Sequence, residues 1–218
     1  MDGMAAAAKA FNVPIVGGHS NLRSRNSQLA VAILGRAQRL LSAFEARAGQ
    51  ILVAAIDHRG AFRAPYLHWN AATDAPPDRL RGDIALLPDI ANAGLAFAAK
   101  DISQAGLLGT TLMLMESSRV GAEVNLDRLP KPDGVSWPDW LCAFPSFGYL
   151  LTTSAEALPK LLASFEQRGI SAAAIGTING SQQLTVSLGS ERELFRDLKD
   201  YPLTGLSPRP TYPSEKEY

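Results

Sequence analysis

The chain has 218 residues, of which 46% are hydrophobic and 19% are charged, and its 21 basic residues balance its 21 acidic residues. This composition is ordinary for a folded protein of one large or two small domains, and it lacks the basic stripe typical of nucleic-acid binders. A single cysteine excludes an internal disulfide, no apolar run reaches the roughly 18 residues of a membrane span, and no signal-peptide pattern opens the chain. We therefore expect a cytoplasmic protein that binds neither nucleic acid nor membrane.

The N-terminal part of the sequence predicts one helix and two strands. The alanine-rich residues 3–11 favour a helix. Residues 13–16 (VPIV) and 28–34 (QLAVAIL) are rich in strand formers. Residues 38–47 are helical or irregular.

The rest of the sequence alternates between predicted strands and helices. The apolar patterns predict strands at 51–56, 95–99, 122–126, 147–153, 172–178 and 183–188. They predict helices within 79–93 and at 104–118, 155–168 and 190–199. Asn179-Gly180 is a strong hairpin signal between the last two strands, and the proline-rich residues from 202 onward predict a disordered tail. The fold class is therefore α+β, with a mixed sheet and helices packed on one side.

Two stretches carry residues suited to ligand binding. In VPIVGGHSN, the paired Gly17-Gly18 let the backbone bend and approach a ligand, and His19, Ser20 and Asn21 follow with donors and acceptors. The alternative interpretation is a tight turn between two strands, because paired glycines are common in turns.

The second stretch is AKDISQAGLLGT, residues 99–110, where a helix begins. Ser103 is suited to capping that helix, but a cap requires neither Lys100 nor Asp101. A helix N-terminus also favours phosphate, and a carboxylate there is suited to hold Mg²⁺. Gly106 and Gly109 each cost about 1 kcal/mol in a helix interior, which indicates a close approach by backbone or ligand.

The segments VPIVGGHSN, LAVAILGRA and KDISQAGLLGTTLMLME, in this order, resemble the AIR synthase (PurM-like) superfamily. This superfamily includes aminoimidazole ribonucleotide synthetase, selenophosphate synthetase and thiamine-monophosphate kinase. The segments DHRGAFRAPYLHWNAATDAPPDRLRGD and FPSFGYLLT are most similar to its AIR synthase-related proteins. The resemblance extends to about residue 200.

The resemblance implies two α/β domains, a dimer formed through the N-terminal one, and phosphoryl transfer from ATP with Mg²⁺. It implies nucleotide contacts from the glycine loop (Gly17, Gly18, His19 and Ser20), roles in catalysis and Mg²⁺ binding at the start of the helix (Asp101 and Ser103), and a substrate-side position for Asn70. From the residues themselves, we add Asn21 to the nucleotide contacts, Lys100 to the catalytic group and Gly106 to the substrate side.

The sequence departs from the family before its glycine loop. Relatives carry paired aspartates for Mg·ATP there, and Gln50 stands where relatives have the aspartate of a Gly-Asp pair. The chain resembles a family member that begins midway through its N-terminal domain. We therefore predict a helix-strand-strand remnant of that domain at 1–48, a C-terminal domain at 49–201, and a tail at 202–218.

Open strand edges in such a remnant need pairing. We expect residues 13–36 to pair with a second copy or with a complementing N-terminal segment. One interpretation is the C-terminal portion of an ATP-dependent enzyme that acts on a small molecule. The others are a non-catalytic dimerising or regulatory protein, and a plain α/β domain in which the first two strands join the C-terminal sheet.

Overall fold

The computed structural model describes residues 2–206, so residues 207–218 of the predicted tail lie outside it. Its helices are α1 (Asp2–Phe11), α2 (Pro77–Asn92), α3 (Gly106–Ser118), α4 (Trp137–Cys142) and α5 (Leu158–Glu166), with a 3-10 turn at Leu126–Arg128. Its strands are β1 (Ile51–Ile56), β2 (Ala61–Phe62), β3 (His68–Asn70), β4 (Ala98–Asp101), β5 (Gly121–Asn125), β6 (Phe144–Pro145), β7 (Gly148–Thr153), β8 (Ser171–Asn179), β9 (Gln183–Leu188) and β10 (Glu191–Asp197). None of the helices in this described part is long and apolar enough to cross a bilayer.

The main sheet has seven strands in the order β10-β9-β5-β8-β1-β7-β4. Neighbouring strands are antiparallel except β5 and β9, which run parallel. A small second sheet has the order β2-β3-β6. The α+β class and the mixed sheet are therefore confirmed.

Helices cover both faces of the main sheet, which corrects the prediction of helices on one side. Alternate residues of β1 point to opposite faces, and two separate apolar clusters lie there. One cluster contains Leu52 and Ile56 of β1 with Leu114 of α3 and Trp140 of α4. The other contains Val53 and Ala55 of β1 with Ile90 of α2 and Phe165 of α5. Because both faces are buried, β1 reads as an unbroken apolar run.

The helix-strand-strand arrangement predicted for residues 1–48 forms only in part. Helix α1 forms and lies against α2, where Arg81 Nη1 donates to the Ala10 carbonyl at 2.7 Å. The two strands predicted at 13–16 and 28–34 do not form, because residues 12–40, hereafter the extended segment, pair with no strand of either sheet. Apolar side chains such as Val31 and Ile33 are exposed there. The interpretation in which these strands join the C-terminal sheet is therefore wrong.

Two predictions near the C-terminus are wrong because tertiary pairing overrides local signals. Strands β8 and β9 do not form a hairpin about Asn179-Gly180, since β5 lies between them. The helix predicted at 190–199 is instead β10, which turns at Gly189 and pairs antiparallel with β9. Its charged residues favour a helix in isolation, but the free edge of β9 offers backbone partners.

Residues 202–206 do not form the start of a free tail. The Glu116 carboxylate accepts hydrogen bonds from the backbone N–H groups of Leu203, Thr204 and Gly205, and from the Thr204 hydroxyl at 2.6 Å. Leu203 also packs against the apolar cluster under α3. The prediction of disorder is therefore wrong for this part of the 202–218 segment.

Candidate functional site

The glycine loop lies in the extended segment and contacts no other candidate residue. All of Gly17, Gly18, His19, Ser20 and Asn21 are exposed. A Cβ added at either glycine would meet nothing within 4 Å, and Asn21 Oδ1 accepts only the N–H of Arg23, at 2.9 Å. Nucleotide binding by these residues stays a prediction.

The end of β4 places a cation, a carboxylate and a phenol at one edge of the main sheet. Lys100 and Asp101 form an ion pair, and the Asp101 side chain is 59% exposed. Asp101 lies opposite Tyr149 in the β4–β7 ladder. Burial, and then the negative charge of Asp101, raise the pKa of Tyr149. Asp101 is therefore a solvent-accessible carboxylate beside an ammonium and a half-buried phenol.

The start of α3 differs from the predicted cap. The helix begins at Gly106 and has no side-chain cap, so the alternative in which Ser103 caps it is not realised. The Ser103 N–H donates to Thr110 Oγ1 at 3.2 Å, and the Ser103 carbonyl accepts from the Gly106 N–H at 2.8 Å. Ser103 therefore shapes the turn between β4 and α3.

Gly106 is required by packing against α4. Its φ is +66°, and a Cβ there would lie 2.0 Å from the Leu141 carbonyl oxygen. The close approach that the sequence indicated is therefore made by the protein backbone. A substrate contact by Gly106 stays a prediction.

Asn70 holds a turn at the end of β3. Its Oδ1 accepts from the N–H groups of Ala72 and Thr73 and from the Thr73 hydroxyl at 3.0 Å. The side-chain oxygen is thus engaged locally, and a substrate-side role for Asn70 stays a prediction.

The described residues contain no cluster of metal ligands. Within residues 2–206, no group of three or more histidine, cysteine, aspartate or glutamate side chains is placed to hold a metal ion. Asp101 is paired with Lys100. Magnesium binding by Asp101 stays a prediction.

Sequence reasoning missed a cluster of buried charges at the same edge of the sheet. This arginine–aspartate cluster consists of Asp57 after β1, Arg59, Arg79 and Asp83 from α2, and Arg168 after α5. The side chains of Asp57 and Asp83 are only 3% and 4% exposed. Because β1 and β4 are both antiparallel to β7, Asp57 and Asp101 lie at the same edge.

Arg59 and Arg168 satisfy the two buried carboxylates. Arg59 Nε lies 2.7 Å from Asp57 Oδ1, and Arg59 Nη2 lies 2.9 Å from Asp83 Oδ2. Arg168 Nε donates to Asp83 Oδ1 at 3.0 Å. Hydrogen bonding to Asp57 is the main cause that raises the pKa of Arg59. Buried carboxylates are tolerated because each has charged donors.

Local sequence features shape this cluster. Gly82 leaves room on α2 for the Arg168 guanidinium, since a Cβ there would lie 2.4 Å from Nη2. Trp69 Nε1 donates to the Asp57 carbonyl at 3.0 Å. The pair Asp57 and Arg59, placed directly after an apolar strand, is the sequence signal that marks this site.

Comparison with known proteins identifies relatives along most of the chain. The chain is 44% identical over 207 residues to an uncharacterized protein of Synechocystis sp., covering 94% of this chain and 64% of that protein. It is 31% identical over 202 residues to an uncharacterized protein of Methanocaldococcus jannaschii, covering 91% of this chain and 62% of that protein. The chain thus spans somewhat less than two thirds of the length of these relatives.

Solved structures share the fold. Thermotoga maritima PurL complexed with FGAR superposes with a TM-score of 0.61 at 17% identity, over 75% of this chain and 29% of that chain. The hydrogenase maturation protein HypE in complex with ATP superposes with a TM-score of 0.52 at 14% identity, over 72% of this chain and 53% of that chain. At these identities the likeness concerns the fold alone.

A protein-family model matches more than half of the chain. Residues 66–189 match the model of the C-terminal domain of AIR synthase related proteins. This range begins before α2 and ends after β9, and it includes the β4 edge, α3 and most of the arginine–aspartate cluster. The chain belongs to the AIR synthase-related family.

Proposed function

We propose that this chain supplies the C-terminal, substrate-side portion of an ATP-dependent enzyme that transfers a phosphoryl group to a small molecule in the cytoplasm. The family and the shared fold with PurL and with ATP-bound HypE support this proposal. The observation that carries it is the polar, accessible edge formed by Lys100 and Asp101 at the end of β4.

The residues directly after the extended segment contact this edge. The N–H of Ala99, directly before Lys100, donates to the Ser42 carbonyl at 3.0 Å. The glycine loop lies earlier in the chain, within the extended segment that precedes this contact. We propose that the loop takes part in nucleotide binding when the extended segment is ordered by a partner surface.

Lys100 and Asp101 supply one ammonium and one carboxylate, and we propose that a second polypeptide surface completes the site for Mg·ATP. The extended segment offers a place for it, because Leu29, Val31 and Ile33 belong to the continuous apolar run 29–34 and are 69%, 62% and 75% exposed. A short continuous apolar run is consistent with a strand that is buried in an assembled sheet. We propose that a second copy or a complementing N-terminal segment pairs there through residues 13–36.

Calorimetric titration with Mg·ATP tests the nucleotide proposal. We expect saturable binding by the self-associated chain, or by the chain together with a complementing segment, and at least tenfold weaker binding by Asp101→Asn. The matched control is Asp133→Asn, which removes an exposed carboxylate from a loop. Absence of Mg·ATP binding in every assembled form would refute the proposal.

Sedimentation measurements test the association. Val31→Asp and Ile33→Asp should each shift the population towards the monomer, because a charge buried against a partner strand is costly. Leu194→Asp, at an exposed position of β10, is the matched control. The proposed association would be contradicted if the wild-type chain were monomeric and bound none of the added N-terminal segments.

The second candidate function is a non-catalytic dimerising or regulatory protein. The absence of a metal-binding group among residues 2–206 favours it. In that case Asp101→Asn changes neither nucleotide binding nor any cellular phenotype, while the extended segment still mediates association.

A further inference from the structure

A surface cavity of about 300 Å³ lies beside the arginine–aspartate cluster, between the first turn of α2 and the end of α5. It is lined by Arg59, Asp78, Arg79, Gln167 and Arg168. We propose that this cavity binds the phosphate group of a small molecule. The proposal is independent of the nucleotide proposal, because it uses none of Lys100, Asp101 or the glycine loop.

The charges at the cavity leave a positive excess. Of its three arginines, Arg59 and Arg168 already neutralise the two buried carboxylates of Asp57 and Asp83. Arg79 is the additional cation, and its Nη2 is 3.9 Å from Asp57 Oδ2. The excess therefore belongs to a guanidinium that lines the cavity.

The one acidic lining residue does not cancel this excess. The Asp78 side chain is 93% exposed and is ion-paired with Arg81, one turn along α2. An exposed carboxylate is screened by solvent and has little effect on a partly buried cation. Removal of the Asp78 charge should nevertheless strengthen the binding of an anion in the cavity. Removal of an arginine charge should weaken it, so the two variants test the proposal in opposite directions.

Two of the guanidinium groups retain free hydrogen-bond donors. Arg79 Nε is buried and has no acceptor among the described residues. Arg79 Nη2 donates to the Ala71 carbonyl. Arg168 uses Nε for Asp83 and Nη2 for Asp83 and the Arg79 carbonyl, which leaves Nη1 without an acceptor in the same described range. Buried donors in native proteins are normally satisfied, so the described residues do not fill the hydrogen-bonding capacity of Arg79. Among these residues, Arg168 Nη1 is the unpartnered donor that an acceptor in the cavity can reach.

The donor set fits phosphate, and the charge of a phosphate group, about −1.5 to −2 at neutral pH, favours it over a carboxylate. Guanidinium forks match the spacing of phosphate oxygens and bind them through paired hydrogen bonds. The first turn of α2 also presents its positive end at this place, since Asp78 and Arg79 directly follow Pro77 at the helix start. The volume lies at the small end of the roughly 300–1,000 Å³ range of ligand sites, which suits a compact phosphorylated molecule.

Calorimetric titration of the full chain at constant ionic strength tests the proposal, with inorganic phosphate, glycerol 3-phosphate and acetate as probes. We expect both phosphates to bind and acetate to bind at least tenfold more weakly. A tighter affinity for glycerol 3-phosphate assigns the site to phosphorylated molecules, whereas equal affinity assigns it to free phosphate.

Three variants identify the place of binding. Arg79→Gln should weaken phosphate binding at least tenfold, and Asp78→Asn should strengthen it about two- to threefold because it removes a lining carboxylate. Arg192→Gln is the control. This exposed arginine lies on β10, the edge strand of the main sheet, and pairs with Glu123. The Asp78→Asn gain cannot arise from unfolding, so it remains informative if Arg79→Gln folds poorly.

Several results would overturn the proposal. These are the absence of phosphate binding by the wild-type chain, equal binding of acetate, an equal loss in Arg192→Gln, and weaker binding by Asp78→Asn. An unchanged Mg·ATP titration in Arg79→Gln would show that the phosphate site and the nucleotide site are separate.

Discussion

Replacement of Gly106 by alanine tests whether this glycine serves packing or a ligand. In the structure, an alanine Cβ at this position would lie 2.0 Å from the Leu141 carbonyl oxygen and 2.9 Å from the Leu141 carbonyl carbon. Real Cβ atoms essentially never approach other atoms closer than 3.0 Å, so α3 and α4 must move apart. Trp140 of α4 is buried in the core, where its Nε1 donates to the Pro130 carbonyl at 2.9 Å.

Two energetic costs add in this variant. An alanine forced to a φ of +66° costs roughly 1–2 kcal/mol. Separating two packed helices costs about 1–3 kcal/mol more, as in overpacked cores. We expect Gly106→Ala to lower the free energy of unfolding by about 2–5 kcal/mol.

Gly134→Ala is the matched control, because Gly134 has a φ of +74° but nothing within 4 Å of an added Cβ. Urea denaturation should give a loss of about 1–2 kcal/mol for the control and a clearly larger loss for Gly106→Ala. Equal losses would refute the packing argument. A stable Gly106→Ala variant with impaired substrate binding would instead support a substrate contact by Gly106.

Three further predictions concern buried polar groups. Arg59→Met should destabilise the fold by about 3 kcal/mol in urea denaturation, because it leaves buried Asp57 with only Arg79 at 3.9 Å as a charged partner. Arg47→Met at an exposed pair should have almost no effect. Burial raises the pKa of Glu116, but hydrogen bonds from residues 203–205 lower it below 4.5 overall. The stability from Glu116 should therefore be present above pH 4.5 and be lost as the pH falls through the lower folded pKa, so the difference between the wild type and Glu116→Gln should shrink there. Burial lowers the pKa of His58 below 6.5, so the NMR titration of its imidazole should have a midpoint below 6.5. The free energy of unfolding should then decline as the pH falls below 6.5, because the unfolded chain takes up the proton more readily. A midpoint above 6.5 would contradict the burial of His58.

The sequence predicts well those elements that are buried and therefore have a clear apolar pattern. Strands β1 and β7 lie in the middle of the sheet, and their apolar runs match the predicted 51–56 and 147–153 closely. Helix α3 matches the predicted 104–118 for a similar reason, since many of its residues are buried. In these elements local propensity and tertiary burial favour the same structure.

The sequence fails where structure depends on pairing between distant segments. The strands predicted at 13–16 and 28–34 have the right composition, but the described residues give them no neighbour to pair with. Conversely, β10 has a helix-favouring composition and becomes a strand because β9 offers it a free edge. Propensity decides neither case.

The sequence predicts only the part of the candidate site whose residues are adjacent in the chain. Lys100 and Asp101 are adjacent in the sequence, so their juxtaposition at the end of a strand was predictable and the structure pairs them. The arginine–aspartate cluster draws Asp57, Asp83 and Arg168 from three separate elements. Only the packing of α2 and α5 on one face of the sheet brings these residues together.

The position of β5 between β8 and β9 has a consequence for how the chain folds. β8 and β9 are joined by a short turn, and such turns close into hairpins within roughly 1–10 μs. In the native sheet, however, each of them pairs with β5, which lies roughly fifty residues before β8 and roughly sixty before β9. A local hairpin between β8 and β9 would therefore be non-native and would have to open before β5 could pair with both strands. We expect variants that strengthen the turn to slow folding of the main sheet.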